Sequence, residues 1–334
     1  MEQEATVTRR QFVATLLVCL TVLVAASFAV QRLTAHTVSR RLLAETQHAS
    51  YAQVIALGNS LMRSGFVPDA FAPPASPQDK SPAFNLAMGA STPAEQLLLL
   101  RAGFAAIPNA RLLFYGFYDF QLTDPVAFSS ADLIGNHDIL YYDEPEFARG
   151  FYHMSRYDAA AFEIDRRLPI LAERGAVWGK VELLRRAISQ QGMPIQARNQ
   201  FGRAADFTLL EAKSREEFEQ HCAAASEASL NAAVMEIIGE SQERGIRVVF
   251  VVMPLPPRHV QLFYDTAGWA NYQQHIRRLL AANNVGYIDG SQWLIDPAKF
   301  GDALHLSPEG AEEFSRRLGA LCSSLRDLHS CATR

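Results

Sequence analysis

The chain predicts an α/β fold built on a parallel sheet, and three observations carry that expectation. Short, nearly uninterrupted apolar runs recur at Val54 to Leu57, Leu112 to Tyr115, Ile246 to Met253 and Val285 to Ile288. Three of them stop at a residue that breaks extended structure, Gly58, Gly116 or Pro254. Segments of helical periodicity lie between them. Runs that are apolar throughout, instead of alternating, belong to strands covered on both faces, as parallel sheets require. Strands alternating with helices imply right-handed crossovers, so the expected architecture is a three-layer α/β/α sandwich.

Taken in order, residues 1–11 read as a short cytoplasmic tail and 12–32 as a transmembrane signal anchor. Phe12 to Val30 carries no charge and is long enough for a helix to cross a hydrocarbon core of ~30 Å. Thr8-Arg9-Arg10-Gln11-Phe12 also resembles a twin-arginine export signal, and Ser27-Phe28-Ala29 offers a cleavage site. The apolar run exceeds an ordinary signal-peptide core, which favours an uncleaved anchor. Arginines flank both ends (Arg9 and Arg10; Arg32, Arg40 and Arg41), so charge does not set the orientation. The short tail places the remainder outside the cytoplasm, and the expected location is a bacterial-type inner membrane with the globular part periplasmic.

Residues 33–50 read as a helical stalk and 51–328 as one domain with an insertion at about 120–225. Thr92-Pro93-Ala94-Glu95 is a capping box ahead of Leu97 to Leu100 and Phe104. Leu230 to Arg244 is helical and is stopped by Gly245; a further helix over Ala270 to Ala282 precedes the strand at Val285. A last helix runs from Pro308 to Arg326. The insertion carries helical periodicity and many aromatics: Phe128, Tyr141, Tyr142, Phe147, Phe151, Tyr152, Tyr157 and Phe162. They either pack the insertion or line a substrate groove.

Composition sets bounds. A net charge of −4 and a pI near 6.2 leave no footprint for nucleic acid. The four cysteines are too scattered for a disulfide framework, although Cys322 and Cys331 are able to bridge in an oxidising compartment. Asn136-His137-Asp138 and His153 invite a metal reading, but no two histidines fall at metal-helix spacing, so neither metal nor cofactor is expected.

The segment Asp302-Ala303-Leu304-His305-Leu306-Ser307-Pro308 points to chemistry. Ser307 suits the cap of the following helix and Pro308 its first position. Asp302 and His305 then sit on the loop before that helix, where the carboxylate orients the ring. A base held that way needs a nucleophile. Ser60 is the candidate, just past the strand that ends at Gly58, where open α/β sheets hold their ligands.

These residues resemble the SGNH (GDSL-like) hydrolase superfamily. Gly58-Asn59-Ser60 resembles its first block, with Asn59 where Asp is usual. Asn85 to Ser91 resembles the second, which implies that Gly89 donates its backbone N–H to an oxyanion. Asp302 and His305 match the last block. The third departs from the pattern: Gly116-Phe117-Tyr118-Asp119 has Tyr118 where the oxyanion-hole Asn is expected. Loss of one such donor costs on the order of 10²–10³ in rate. The resemblance covers roughly residues 51–120 and 243–325.

A membrane anchor and a large insertion make the chain similar to the branch that O-acetylates alginate and other exopolysaccharides, and to the protein that assists D-alanylation of teichoic acids. That likeness implies an acyl, in particular acetyl, transferase acting on envelope glycan, with a multi-pass membrane O-acyltransferase as partner and a polysaccharide or glycolipid as substrate. Two alternatives stand beside it: a carbohydrate or lipid esterase, and a non-catalytic glycan-binding scaffold on the same fold.

Overall fold

The computed structural model describes residues 2–34, 37–74, 76, 79–123, 139–188 and 215–322. Helix α1 (Glu2–Thr34) and α2 (Val38–Thr46) lead into strand β1 (Val54–Gly58), α3 (Ser60–Gly65), α4 (Pro68–Phe71), β2 (Ala83–Asn85), α5 (Pro93–Ala106) and β3 (Leu112–Phe117). Five helices follow: α6 (Ile139–Asp143), α7 (Pro145–Phe151), α8 (Arg156–Arg167), α9 (Pro169–Ala172) and α10 (Arg174–Ile188). The chain continues through α11 (Arg215–Ala225), α12 (Ala232–Glu243), β4 (Arg247–Val252), α13 (Ala267–Ala282), β5 (Gly286–Asp289) and α14 (Pro308–Leu321).

The five strands form one parallel sheet in the order β2-β1-β3-β4-β5. Every residue of β1 and β3 is buried, as is all of β4 after Arg247, which is the burial that uniformly apolar strands demand. The chain leaves β1 for β2 on one side and then returns to β3 on the other. The carboxyl end of β1 is therefore a topological switch point, the place where such sheets open a crevice. Helix α5 starts where its capping box places it: the Thr92 N–H donates to Glu95 at 2.7 Å and the Glu95 N–H to the Thr92 hydroxyl. Strand β2 has only three residues and is not legible in the sequence.

Two compact units emerge. One comprises 1–41 and 127–194, the other 42–126 and 195–334. Helices α9 and α10 pack on α1, so the long apolar helix and these inserted helices share a unit. Helix α11 packs on α13 in the unit that holds the sheet.

Within the first unit the inserted aromatics meet one another, Tyr141 with Tyr152, Tyr142 with Phe162 and Phe147 with Phe151. Arg9–Thr34 is long and apolar enough to cross a membrane. Cys19 and Cys222 are free and Cys322 is disulfide-bonded. Phe128, Asn136, His137, Asp138, Arg326 and Cys331 lie outside the described residues.

Candidate active site

Three features of the sheet unit hold Ser60. Gly58 ends β1 with φ +147°, a value side-chain-bearing residues rarely adopt. It pairs with Gly116 at the end of β3, so closely that a Cβ on Gly58 would overlap the Gly116 carbonyl oxygen. Asn59 then caps α3, its Oδ1 accepting the Leu61 N–H at 3.0 Å. Ser60 is thus the first residue of a helix that starts at the switch point.

The loop bearing His305 is held with equal care. Gly301 N–H donates to the His305 carbonyl at 2.9 Å and Ser307 N–H to the Lys299 carbonyl at 2.8 Å. Ser307 caps α14 through the Gly310 N–H at 3.2 Å. Helix α14 packs on α3 and α4: the Ser315 hydroxyl donates to the Gly65 carbonyl at 3.1 Å and accepts the Val67 N–H at 2.8 Å. That docking sets the distance between histidine and serine, although they lie 245 residues apart.

The outcome is a linear relay. His305 Nε2 is 3.0 Å from the Ser60 hydroxyl, and its Nδ1 is 2.9 Å from Asp302 Oδ2 and 3.1 Å from Oδ1. Asp302 Oδ1 also accepts the backbone N–H groups of Leu304 and His305, both at 2.8 Å. Partial burial raises the Asp302 pKa, but these hydrogen bonds and the imidazole outweigh it and hold the carboxyl below its ordinary value. A carboxylate at Nδ1 favours the tautomer protonated there, leaving Nε2 as the acceptor for the serine hydroxyl.

The other residues expected from the sequence separate into three roles. Gly89 faces Ser60: a Cβ built on it would lie 3.8 Å from the Ser60 Cβ. Asn59 commits both atoms of its amide, capping α3 through Oδ1 and donating through Nδ2 to Gln121 Oε1 at 2.6 Å. Tyr118 follows β3 at the carboxyl end of the sheet, next to Asp119 in the chain. Burial first, then the Asp119 charge and its hydrogen-bonding pull, push the phenol well above its usual range.

Sequence reasoning missed the polar chain beneath the serine. Gln121 Nε2 donates to the Tyr115 hydroxyl at 3.3 Å, and that hydroxyl donates to Gln96 Oε1. Gln96 Nε2 reaches the Ser91 carbonyl and hydroxyl, each at 3.1 Å; the Ser91 hydroxyl contacts the Met88 carbonyl at 2.7 Å. The segment before Ser60 and the loop carrying Gly89 are thereby joined by one buried network. A polar Gln96 inside the apolar run of α5 was the one signal that could have revealed it. Asn85 was also unassigned. Its Nδ2 bonds the carbonyls of Met62, Arg63 and Phe66, closing the end of α3.

Comparison with models of known protein families finds no match, and comparison with curated protein sequences finds none either.

Proposed function

We propose that the sheet unit is an SGNH-type serine acyl-transfer domain, a three-layer α/β/α sandwich held outside the cytoplasm by α1. The observation that carries this reading is the Ser60–His305–Asp302 relay at 3.0 and 2.9 Å, placed at the switch point of a parallel sheet. Ser60 attacks the carbonyl carbon of an ester while His305 Nε2 takes the hydroxyl proton. The tetrahedral oxyanion rests on the N–H groups of Ser60 and Gly89. Collapse returns the proton from His305 to the departing alkoxide and leaves the acyl group on Ser60. An acceptor hydroxyl, deprotonated by the same imidazole, then takes the acyl group and regenerates the serine. Asp302, ionised at neutral pH, holds the ring and stabilises the imidazolium.

The acceptor proposed is a hydroxyl of envelope or exopolysaccharide glycan, with acetyl as the acyl group and a multi-pass O-acyltransferase as its supplier. Support comes from the motif resemblance together with the apolar helix Arg9–Thr34. Hydrolysis is the second reading, because the His305 side chain retains 17% of its exposure and water can reach the site.

The test is labelling of the membrane-embedded full chain by a fluorophosphonate and turnover of p-nitrophenyl acetate. Both are expected in the wild type and absent in Ser60→Ala and His305→Ala. Equal labelling in all three variants would remove the catalytic reading. Acetyl transfer to an oligosaccharide faster than to water would select the transferase.

A further inference from the structure

The inserted helices carry apolar side chains where a water-facing helix would not place them. On α10, Trp178, Val181 and Leu184 recur at every third position and are 70%, 47% and 61% exposed. That spacing keeps them on one side of the helix. On α8, Tyr157 and Ile164 are separated by two turns and are also exposed. Isolated exposed apolar residues are ordinary, but a continuous stripe on one helix face is not.

The place where these helices attach explains the stripe. Within the first unit α9 and α10 pack on α1. The residues of α1 that lose exposure are Ala26, Ser27, Val30 and Thr34, one face of its last turns, while the turns before them stay exposed. Just beyond, Arg40 pairs with Glu173, between α9 and α10. Arg9–Thr34 is 26 residues, about 39 Å of helix, against a hydrocarbon core of ~30 Å. If Arg9 and Arg10 stay at one surface, the excess emerges at the other. Val30 and Thr34 then stand at headgroup depth and Ala26 and Ser27 just inside the acyl chains, and α9 and α10 pack on α1 at that boundary.

We infer that helices α8 to α10 form an interfacial module that lies on the bilayer, with the Trp178–Val181–Leu184 face set into the boundary between headgroups and acyl chains. Tryptophan and tyrosine concentrate at that depth because each joins an apolar body to a polar group. Exposed Lys180 and Arg185 on the same helix favour anionic lipid. The occupant of this face is therefore phospholipid. The inference rests on α1 spanning the membrane and not on the chemistry at Ser60.

The experiment uses the full chain in nanodiscs of phosphatidylethanolamine and phosphatidylglycerol, with and without brominated acyl chains, and compares the wild type with Trp178→Phe. The other tryptophans, Trp269 and Trp293, lie in the sheet unit. Brominated lipid is expected to quench part of the wild-type emission, and the variant to lose that part. A bimane on Val181→Cys reads the same boundary independently and is expected to be quenched likewise. Quenching of Trp178 by acrylamide in place of bromolipid would overturn the proposal by placing the face in water. Shielding from both quenchers would also overturn it, pointing to a second copy or a protein partner. Alkaline extraction of the wild type from membranes is a separate readout, and release there would remove the span itself.

Discussion

Asn59 Nδ2 donates to Gln121 Oε1 at 2.6 Å, so the residue before Ser60 is tied to the turn that follows β3. The same Asn59 caps α3 with its other amide atom. One side chain therefore starts the helix of Ser60 and locks it to the neighbouring strand end.

Gln121→Leu is expected to slow acylation of Ser60 several-fold while lowering the melting temperature only slightly, because α3 keeps its cap. Asn59→Ala removes both functions and should also cost about 1 kcal/mol of stability through the lost cap. Fluorophosphonate labelling rates beside thermal melts check the pair. Equal loss of stability in both variants with unchanged labelling would show that the Asn59–Gln121 bond has no positioning role.

Gly58 tolerates no side chain. Its φ of +147° and the adjoining Gly116 carbonyl mean that Gly58→Ala is expected to cost about 3 kcal/mol or more. Denaturant unfolding reads this directly. Gly89→Ala is the contrasting case, since its Cβ meets Ser60 at an ordinary 3.8 Å. That variant should fold normally and raise KM by crowding the space over the serine.

The neighbouring Asp119 carboxylate draws on the Tyr118 phenol. Tyr118→Phe is therefore expected to leave the rate of p-nitrophenyl acetate turnover within about threefold of wild type, whereas loss of an oxyanion donor costs on the order of 10²-fold or more. A fall of that larger size would assign the phenol to the oxyanion hole.

Asp302 titrates below its ordinary value in the folded chain. The folded state therefore binds fewer protons at this carboxyl than the unfolded state does. Its stabilising contribution is complete above the unfolded pKa, about 4, and is lost as pH falls through the folded value. Asp302→Asn should flatten the acid side of a plot of melting temperature against pH, below about pH 4. Parallel acid slopes for the two proteins would contradict this assignment.

Much of the sheet was legible because its signals are local. β1, β3, β4 and β5 were expected to within a residue or two, since a buried parallel strand writes itself as a continuous apolar run. β2 was not, because three residues are too few to show a period. The capping motifs at Thr92 and Ser307 were legible for the same reason: each bonds a donor three residues away.

The candidate nucleophile, base and orienting carboxylate could be named from Gly58-Asn59-Ser60 and Asp302 to His305 because neighbours in sequence announce a turn or a cap. Whether Ser60 meets His305 could not be read there. Their 3.0 Å separation follows from α14 seating on α3 through Ser315, a contact spanning 250 residues with no local signature. The same holds for the chain Asn59–Gln121–Tyr115–Gln96, whose members belong to four separate segments, and for the union of α1 with α9 and α10. Sequence alone thus determined four of the five strands, the capped helices beside them, the long apolar helix and the chemical types at the site, all products of short-range periodicity and capping. Tertiary structure decided register, distance and which helices share a unit, because those depend on side chains that become neighbours only once the apolar faces are buried.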